Sequence, residues 1–308
     1  MDIICPSCNS NHIVCIGRIP QTNIFAGNKL TISLPNSNLY KCRGCNLYFK
    51  WPRLNKQQLD MLYRNGNPKI WQYDLRDRKD WQIAKNWITR KVNKGSILDV
   101  GCWDGGFLQN LNGYYNLYGV EINPFAAKRA QAKGIQIIAD NISEIKCFPF
   151  NFDVITAFDL IEHVEYPLNF IASLTQITKK DGYIIISSGN TDSITWKISG
   201  SRYWYCALPE HMSFTNFKWY RYMAKKLNLE IVYYEKFSHR DLDKNIRKML
   251  TLSKDFIFNL IYLISPTLLI NLRKIKNNIV LKNKQDISYG PPSWSTAKDH
   301  LIIILKKT

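Results

Sequence analysis

Three groups of residues in this 308-residue sequence have types and spacings that could do chemistry. The first is Ser96-Ile-Leu-Asp-Val-Gly-Cys-Trp-Asp-Gly-Gly-Phe-Leu108, an apolar run ending in a glycine-rich turn and a helix start. Glycines there let the backbone approach a ligand closely, and a helix N-terminus favours anionic groups. Such a turn also forms for packing reasons alone, so the residues that follow decide its meaning. About 20 residues on, the next apolar run ends Gly119-Val-Glu121, where a carboxylate can accept both hydrogen bonds of a ribose diol. The third run ends Ile138-Ala-Asp140-Asn141, whose carboxylate or amide can meet an adenine amino group. The fourth is Phe152-Asp-Val-Ile-Thr-Ala-Phe158, followed by Asp159-Leu-Ile-Glu-His163. Ligand groups at the carboxyl ends of successive strands are expected in an open α/β sheet. A dinucleotide fingerprint competes, but Gly101 and Gly105 do not fit the G-x-G-x-x-G spacing.

The second group is cysteine. Cys5-Pro-Ser-Cys8 and Cys42-Arg-Gly-Cys45 are two knuckles with 33 residues between them. Four thiolates make a closed tetrahedral zinc site, structural because no position stays open. The alternative is unligated core cysteine. Cys15 is a spare, and the intervening Ile13–Leu34 is expected to form a small β excursion. The chain opens Met-Asp-Ile-Ile-Cys-Pro with no secretory leader, so a reducing cytosol is expected and the cysteines read as ligands rather than disulfides.

The third group is histidine, the side chain whose ordinary pKa lies nearest neutrality and best suits a general base. His163, His211 and His239 all lie near predicted carboxyl ends of strands. His211 is the first candidate, in Tyr203-Trp-Tyr-Cys-Ala-Leu-Pro-Glu210-His211-Met-Ser-Phe214. Glu210 either orients its ring, or the pair caps a helix starting near Thr215. Tyr203, Trp204 and Tyr205 are either a stacking wall for a substrate or a buried aromatic cluster.

Positioning these groups requires short strands that alternate with helices. Seven apolar runs qualify: Ser96–Val100, Leu117–Ile122, Ile135–Ala139, Phe152–Phe158, Tyr183–Ser187, Leu229–Tyr234 and His300–Leu305. The alternation predicts an α/β fold with a Rossmann-like, seven-stranded, mostly parallel sheet. Residues 1–54 are expected to form the zinc-binding module, 55–94 a helical lead-in broken at Asn65-Gly66-Asn67-Pro68, and 95–239 the main domain. Residues 240–297 are expected to form a basic, apolar helical insertion before the last strand at 298–308.

The glycine loop and strand ends together resemble those of class I S-adenosylmethionine-dependent methyltransferases. Asp99-Val-Gly101-Cys-Trp-Asp-Gly105 is similar to their D-x-G-x-G-x-G loop, with Trp103 in the place of the middle glycine. Asp159-Leu-Ile-Glu-His-Val164 resembles their D-x-I-E-H segment. The resemblance covers about residues 95–239 plus the last strand. It implies donor contacts from Asp99, Gly101, Cys102, Trp103, Gly105, Glu121, Ile122, Asp140, Asn141, Phe158 and Asp159. The cysteine module, with Tyr40-Lys-Cys42-Arg-Gly-Cys45-Asn-Leu-Tyr-Phe-Lys-Trp-Pro52, resembles the zinc-binding part of sugar methyltransferases of polysaccharide and antibiotic assembly. Those enzymes carry a Y-x-E-H-x-x-Y-F motif; here Leu208 replaces the first Tyr, which favours O- over C-methylation. The resemblance makes His211 and Glu210 candidate catalytic residues; His163 is a further candidate, with a structural role in shaping the donor pocket as the alternative. A further resemblance, to ubiquinone-pathway O-methyltransferases, makes Asp159, Glu162 and His163 candidate ligands of a divalent metal.

The formal net charge is +18, which suits a polyanionic partner or merely a solvated basic surface. Much of the charge flanks the 17-residue run from Phe256 to Leu272, interrupted at Ser265-Pro266 and short of the roughly 20 residues a span needs. It suits a helix pair lying on an anionic membrane face, or a hairpin packed against the enzyme or a second copy. The sequence therefore predicts a cytoplasmic methyltransferase, peripheral at the inner membrane face, acting on a sugar hydroxyl of a lipid- or nucleotide-linked glycan. An RNA methyltransferase whose zinc module and basic surface grip phosphates is the competing reading, and a non-catalytic S-adenosylmethionine-binding module the third.

Overall fold

The computed structural model describes residues 3–20, 24–25, 28–30, 34–67, 73–141, 150–239 and 298–308, with isolated positions between 253 and 268. The chain begins with five strands: β1 (Ile13–Arg18), β2 (Ile24–Phe25), β3 (Asn28–Lys29), β4 (Asn38–Cys42) and β5 (Tyr48–Trp51). Helices α1 (Lys56–Arg64) and α2 (Lys79–Lys91) follow. Helix α1 starts at a capping box, in which Asn55 and Gln58 satisfy each other's backbone N–H groups.

The main domain alternates as expected: β6 (Ser96–Val100), β7 (Asn116–Val120), α3 (Pro124–Ala132), β8 (Gln136–Ala139), β9 (Phe152–Phe158), α4 (Pro167–Gln176) and β10 (Thr178–Gly189). After β10 come α5 (Ile194–Ser199), α6 (Trp204–Ala207), β11 (Ser213–Phe214), α7 (Phe217–Lys226), β12 (Leu229–Phe237) and β13 (His300–Lys307). The seven-stranded sheet runs β12-β13-β10-β9-β6-β7-β8. Pairs from β8 through β10 are parallel, and β13 runs antiparallel between β10 and β12.

Alternation along the strands builds two cores. Leu98, Val100, Ile184, Ile186, Leu301 and Ile303 face one side, with α4 and α7. Ile97, Ile185, Ile302 and Ile304 face the other, with Trp81, Ala84 and Ile88 of α2. This period of two explains why the strands read as unbroken apolar runs: both faces are covered. Each such side chain contributes roughly 1.5–3 kcal/mol by leaving water.

Three expectations are corrected. The glycine turn leads into a short 3-10 turn, Leu108–Leu111, not an α-helix. The helix expected near Thr215 begins at Phe217, and Asn216 caps it by accepting from the Trp219 N–H at 2.9 Å. The N-terminal module is not self-contained, because its sheet runs β1-β4-β5-β11 and takes its last strand from the loop after β10.

The predicted insertion lies largely outside the described residues. Within it, Phe256, Ile257, Leu260, Ile264 and Leu268 are helical positions and exposed. Among the described residues, no helix is long and apolar enough to cross a membrane.

Candidate active site

Strand order reverses at β6, whose neighbours are β7 and β9, and the crevice beyond such a reversal is where α/β sheets bind ligands. Five buried or half-buried carboxylates collect there. Asp99 ends β6, Glu121 follows β7, and Asp159 and Glu162 follow β9. Asp80, near the start of α2, is the fifth.

The turn after β6 is held by its own backbone. The N–H groups of Gly101 and Cys102 both donate to the Val120 carbonyl, at 2.9 and 3.2 Å. Gly101 and Gly105 are left-handed, each with φ of 74°. A side chain at Gly105 would bring Cβ to 2.1 Å from Ile135 Cδ1, so only glycine fits. Trp103 also adopts the left-handed conformation, φ 49°, where the resembled loop has glycine. Its N–H donates to Glu121 Oε2 at 2.9 Å, a charge-assisted bond that offsets the backbone cost of about 1–3 kcal/mol. Glu121 Oε1 accepts from the Asn123 N–H at 2.7 Å. Ile122 is half-buried beside it.

The other residues expected to contact the donor have surroundings of their own. Cys102 is buried and packs against Gly119, where a Cβ would meet its Sγ at 2.5 Å, so its side chain belongs to the core. Phe158 stacks edge-on against Phe107 at 4.7 Å. Asp140 is exposed and ion-paired to Arg64 at 2.7 Å, while Asn141 Nδ2 donates to Asp60 Oδ2 at 3.5 Å. Both partners belong to α1, whose end is fixed by Asn123 Nδ2 donating to the Tyr63 and Gly66 carbonyls at 3.0 and 3.1 Å.

Sequence reading missed Arg78. Its guanidinium forks onto Asp80, Nε to Oδ1 at 3.0 Å and Nη2 to Oδ2 at 2.6 Å, and Nη2 reaches Asp159 Oδ2 at 2.7 Å. Ser187 Oγ adds a bond to Asp80 Oδ2 at 2.6 Å. Burial pushes Asp80 up, but the charge and fork of Arg78 outweigh it and hold Asp80 well below the usual carboxylate range. Among the described residues, Asp99, Glu121 and Glu162 have no cation within ion-pair distance. Burial pushes Asp99 and Glu121 up to about 7 and Glu162 up to about 8. Asp159 Oδ1 is buried with no hydrogen-bond partner. A cationic ligand would favour the ionised form of these acids, so the crevice suits one in a chain of net charge +18.

The histidines meet at the crevice edge. His211 Nδ1 lies 3.0 Å from the Tyr205 carbonyl, which can only accept, so Nδ1 carries the proton and Nε2 keeps its lone pair. Burial, then the neighbouring His163, holds His211 well below its ordinary pKa, so the ring is neutral. His163 lies edge-on to it at 4.7 Å, takes a hydrogen bond at Nδ1 from Tyr63 Oη at 2.5 Å, and is pushed down to about 4 by burial. Glu162 accepts from Tyr205 Oη and, at 3.1 Å, from Ser188 Oγ. Glu210 is buried near Lys50 and does not orient the His211 ring, because the Tyr205 carbonyl does. Tyr203 and Tyr205 are buried with Trp196 and Phe214, so they form a core cluster rather than an open stacking wall.

The expected metal set is regrouped. Ligand atoms of Glu162, His163 and His211 lie within 4.8 Å of one another, whereas Asp159 groups with Asp80 and His239 because Arg78 draws it there. Cys5, Cys8, Cys42 and Cys45 also lie within 4.8 Å of one another. Cys5 and Cys45 approach to 3.5 Å, as do Cys8 and Cys42, near the roughly 3.8 Å that tetrahedral Zn–S bonds of about 2.3 Å imply. Cys15 is exposed and apart from them.

Replacing Arg78 with Met would leave Asp80 a buried, unpaired charge. Asp80 has a lowered folded pKa, so its pairing stabilises above the unfolded value of about 3.9 and is lost as pH falls through the folded value. Urea unfolding at pH 7 should show a loss of about 3–5 kcal/mol in Arg78→Met, narrowing below about pH 4. A loss under about 1 kcal/mol at pH 7 would contradict the buried network.

Comparisons with known proteins agree with this geometry. A family model described as a methyltransferase domain matches residues 71–234. A ubiquinone biosynthesis O-methyltransferase of Actinobacillus pleuropneumoniae is 31% identical over 124 residues, 35% of this chain and 53% of that protein. One from Leptothrix cholodnii is 27% identical over 144 residues, 41% of this chain and 60% of that protein. The chain thus spans little more than half the length of these curated relatives. A solved complex between a Haloferax volcanii methyltransferase activator and a methyltransferase matches 81% of this chain and 97% of that one, with TM-score 0.50 and 13% identity, a likeness of fold. With more than half of its length matched by the family model, the chain belongs to the methyltransferase-domain family, the class I S-adenosylmethionine-dependent methyltransferases.

Proposed function

We propose that this protein O-methylates a sugar hydroxyl, with S-adenosylmethionine as donor and His211 as general base. The observation that carries the reading is the bond from His211 Nδ1–H to the Tyr205 carbonyl. It fixes the tautomer and leaves a neutral Nε2 beside the crevice, ready to accept a hydroxyl proton. When bound, S-adenosylmethionine supplies an activated methyl group on a cationic sulfonium centre. Asp99, Glu121 and Asp159 would hold it, with the backbone of Gly101 to Gly105. Their fit is electrostatic, since burial pushes Asp99 and Glu121 up to about 7, where a cation would favour their ionised form, and Asp159 Oδ1 lacks a partner. His163, neutral and held by Tyr63, fixes the position of the His211 ring edge-on.

The names of the curated relatives support a hydroxyl acceptor, and the fold supports its placement. The curated relatives are named as O-methyltransferases. The catalytic loop also forms part of the N-terminal module: β11 pairs with β5, and the Lys50 N–H donates to the Met212 carbonyl at 2.9 Å. An acceptor gripped by that module would therefore lie next to His211.

The four-cysteine site fits structural zinc, and Trp219 Nε1 ties its first knuckle to α7 through Ser7 Oγ at 2.9 Å. Elemental analysis should find about one zinc per chain, and a chelator should lower the melting temperature. Metal-free protein melting at the same temperature would remove zinc from the account.

The test of function is a methyl-transfer screen over nucleotide sugars, lipid-linked glycans and RNA. A methylated sugar is expected, and His211→Ala should lower kcat about 100- to 10,000-fold with donor affinity unchanged. Unchanged turnover in that variant removes the base assignment, and methyl incorporation into RNA alone removes the sugar acceptor.

A further inference from the structure

Beside the catalytic loop, the N-terminal module and residues 207–209 border a shallow recess that opens to solvent. Ile19, Leu34, Leu54 and Pro209 give it apolar walls, and two cations, Lys50 and Arg53, also line it. Both are deeply buried: Lys50 is 5% exposed, and the Arg53 side chain 6%.

Their partners are incomplete. Arg53 Nη2 pairs with Glu165 Oε1 at 3.1 Å, but its Nη1 is buried with no hydrogen-bond partner. Lys50 Nζ donates to the Leu208 carbonyl at 2.6 Å. Among the described residues no carboxylate lies within ion-pair distance of it; Glu210 acts on it only at longer range. A buried cation whose donors are not all matched is costly, and arginine cannot relieve the cost by releasing its proton. Two such groups three residues apart, on one solvent-open recess, are a prepared anion site. A guanidinium edge beside an ammonium suits a phosphate, whose several oxygens take a directed N–H pair and a point charge together.

We propose that this recess binds a phosphate group of the acceptor between Lys50 and Arg53, which places the attached sugar beside His211. The inference rests on the reading of His211 as the base of an acceptor methyltransferase. A nucleoside diphosphate and a lipid phosphate present the same group, so the site itself accepts either. The Leu208 carbonyl held by Lys50 belongs to the segment Leu208-Pro209-Glu210-His211, so an anion on Lys50 would also steady the catalytic loop.

Titration calorimetry on the full-length chain, with inorganic pyrophosphate as probe, tests this directly. Pyrophosphate should bind, and Lys50→Met and Arg53→Met should each weaken it at least tenfold with donor affinity unchanged. Arg53→Lys keeps the charge and the Glu165 pair, so it should fall between wild type and Arg53→Met and guards against a folding failure. Uridine diphosphate glucose and a short-chain polyprenyl-phosphate sugar then distinguish nucleotide from lipid carriers, and whichever binds should show the same losses. Absence of pyrophosphate binding at millimolar concentration, or equal affinity in all variants, would overturn the proposal. Sugar methylation with phosphate affinity indifferent to Lys50 and Arg53 would overturn this inference alone. Variant-sensitive phosphate binding without methylation of any sugar would support the site and count against the sugar acceptor.

Discussion

The structure depends on gathering carboxylates at the carboxyl ends of a parallel sheet and keeping them there without enough cations. Arg78 neutralises Asp80 and reaches Asp159. Among the described residues, Asp99, Glu121 and Glu162 have hydrogen bonds but no cation in contact, and burial pushes each up to about 7 or 8. Groups with raised pKa cost stability as pH rises through the range where the unfolded chain has already ionised. A fold that accepts this cost keeps a cavity of negative potential, and a cationic ligand offsets it. The hydrophobic sheet is what makes the arrangement possible. Leu301 to Leu305, fully buried in β13 between β10 and β12, anchor one side of the sheet while the acids sit over β6, β7 and β9.

The second constraint is the joining of two parts that look separate in sequence. Strand β11 is two residues long and completes the sheet of the N-terminal module, which positions the Glu210-His211 pair. Lys50 fastens the join twice, through its N–H to Met212 and its ammonium to Leu208. Trp219 Nε1 adds a third tie, to Ser7 between the first two cysteines. The loop at 208–211 is therefore braced by the cysteine module, and disturbance of that module should be felt at His211.

Much of the fold was legible because its signals are local. Apolar runs bounded by turns gave all seven strands of the sheet, and Ser96–Val100 matches β6 at both ends. Glu121 was legible because the strand-end position determines where its carboxylate points. Arg78 was not: a lone arginine before a helix carries no pattern, and its partner Asp159 is 81 residues away. Strand β11 is too short to show a period. Asp140 had the right spacing, but Arg64 of α1 pairs with it at the surface, a contact that spacing does not reveal. Adjacency in sequence likewise placed Asp159 with His163, whereas the guanidinium of Arg78 holds Asp159 beside Asp80.

The central claim is that a negative crevice recognises the positive charge of the donor. The most direct measurement is calorimetric titration with S-adenosylmethionine and with uncharged-sulfur S-adenosylhomocysteine at pH 6 and pH 7.5, in buffers of different ionisation enthalpy. Asp99 and Glu121 titrate near 7, so raising the pH should tighten S-adenosylmethionine several-fold, with proton release at pH 6. S-adenosylhomocysteine should respond distinctly less. Identical pH dependence for the two ligands, or no proton release, would contradict the account.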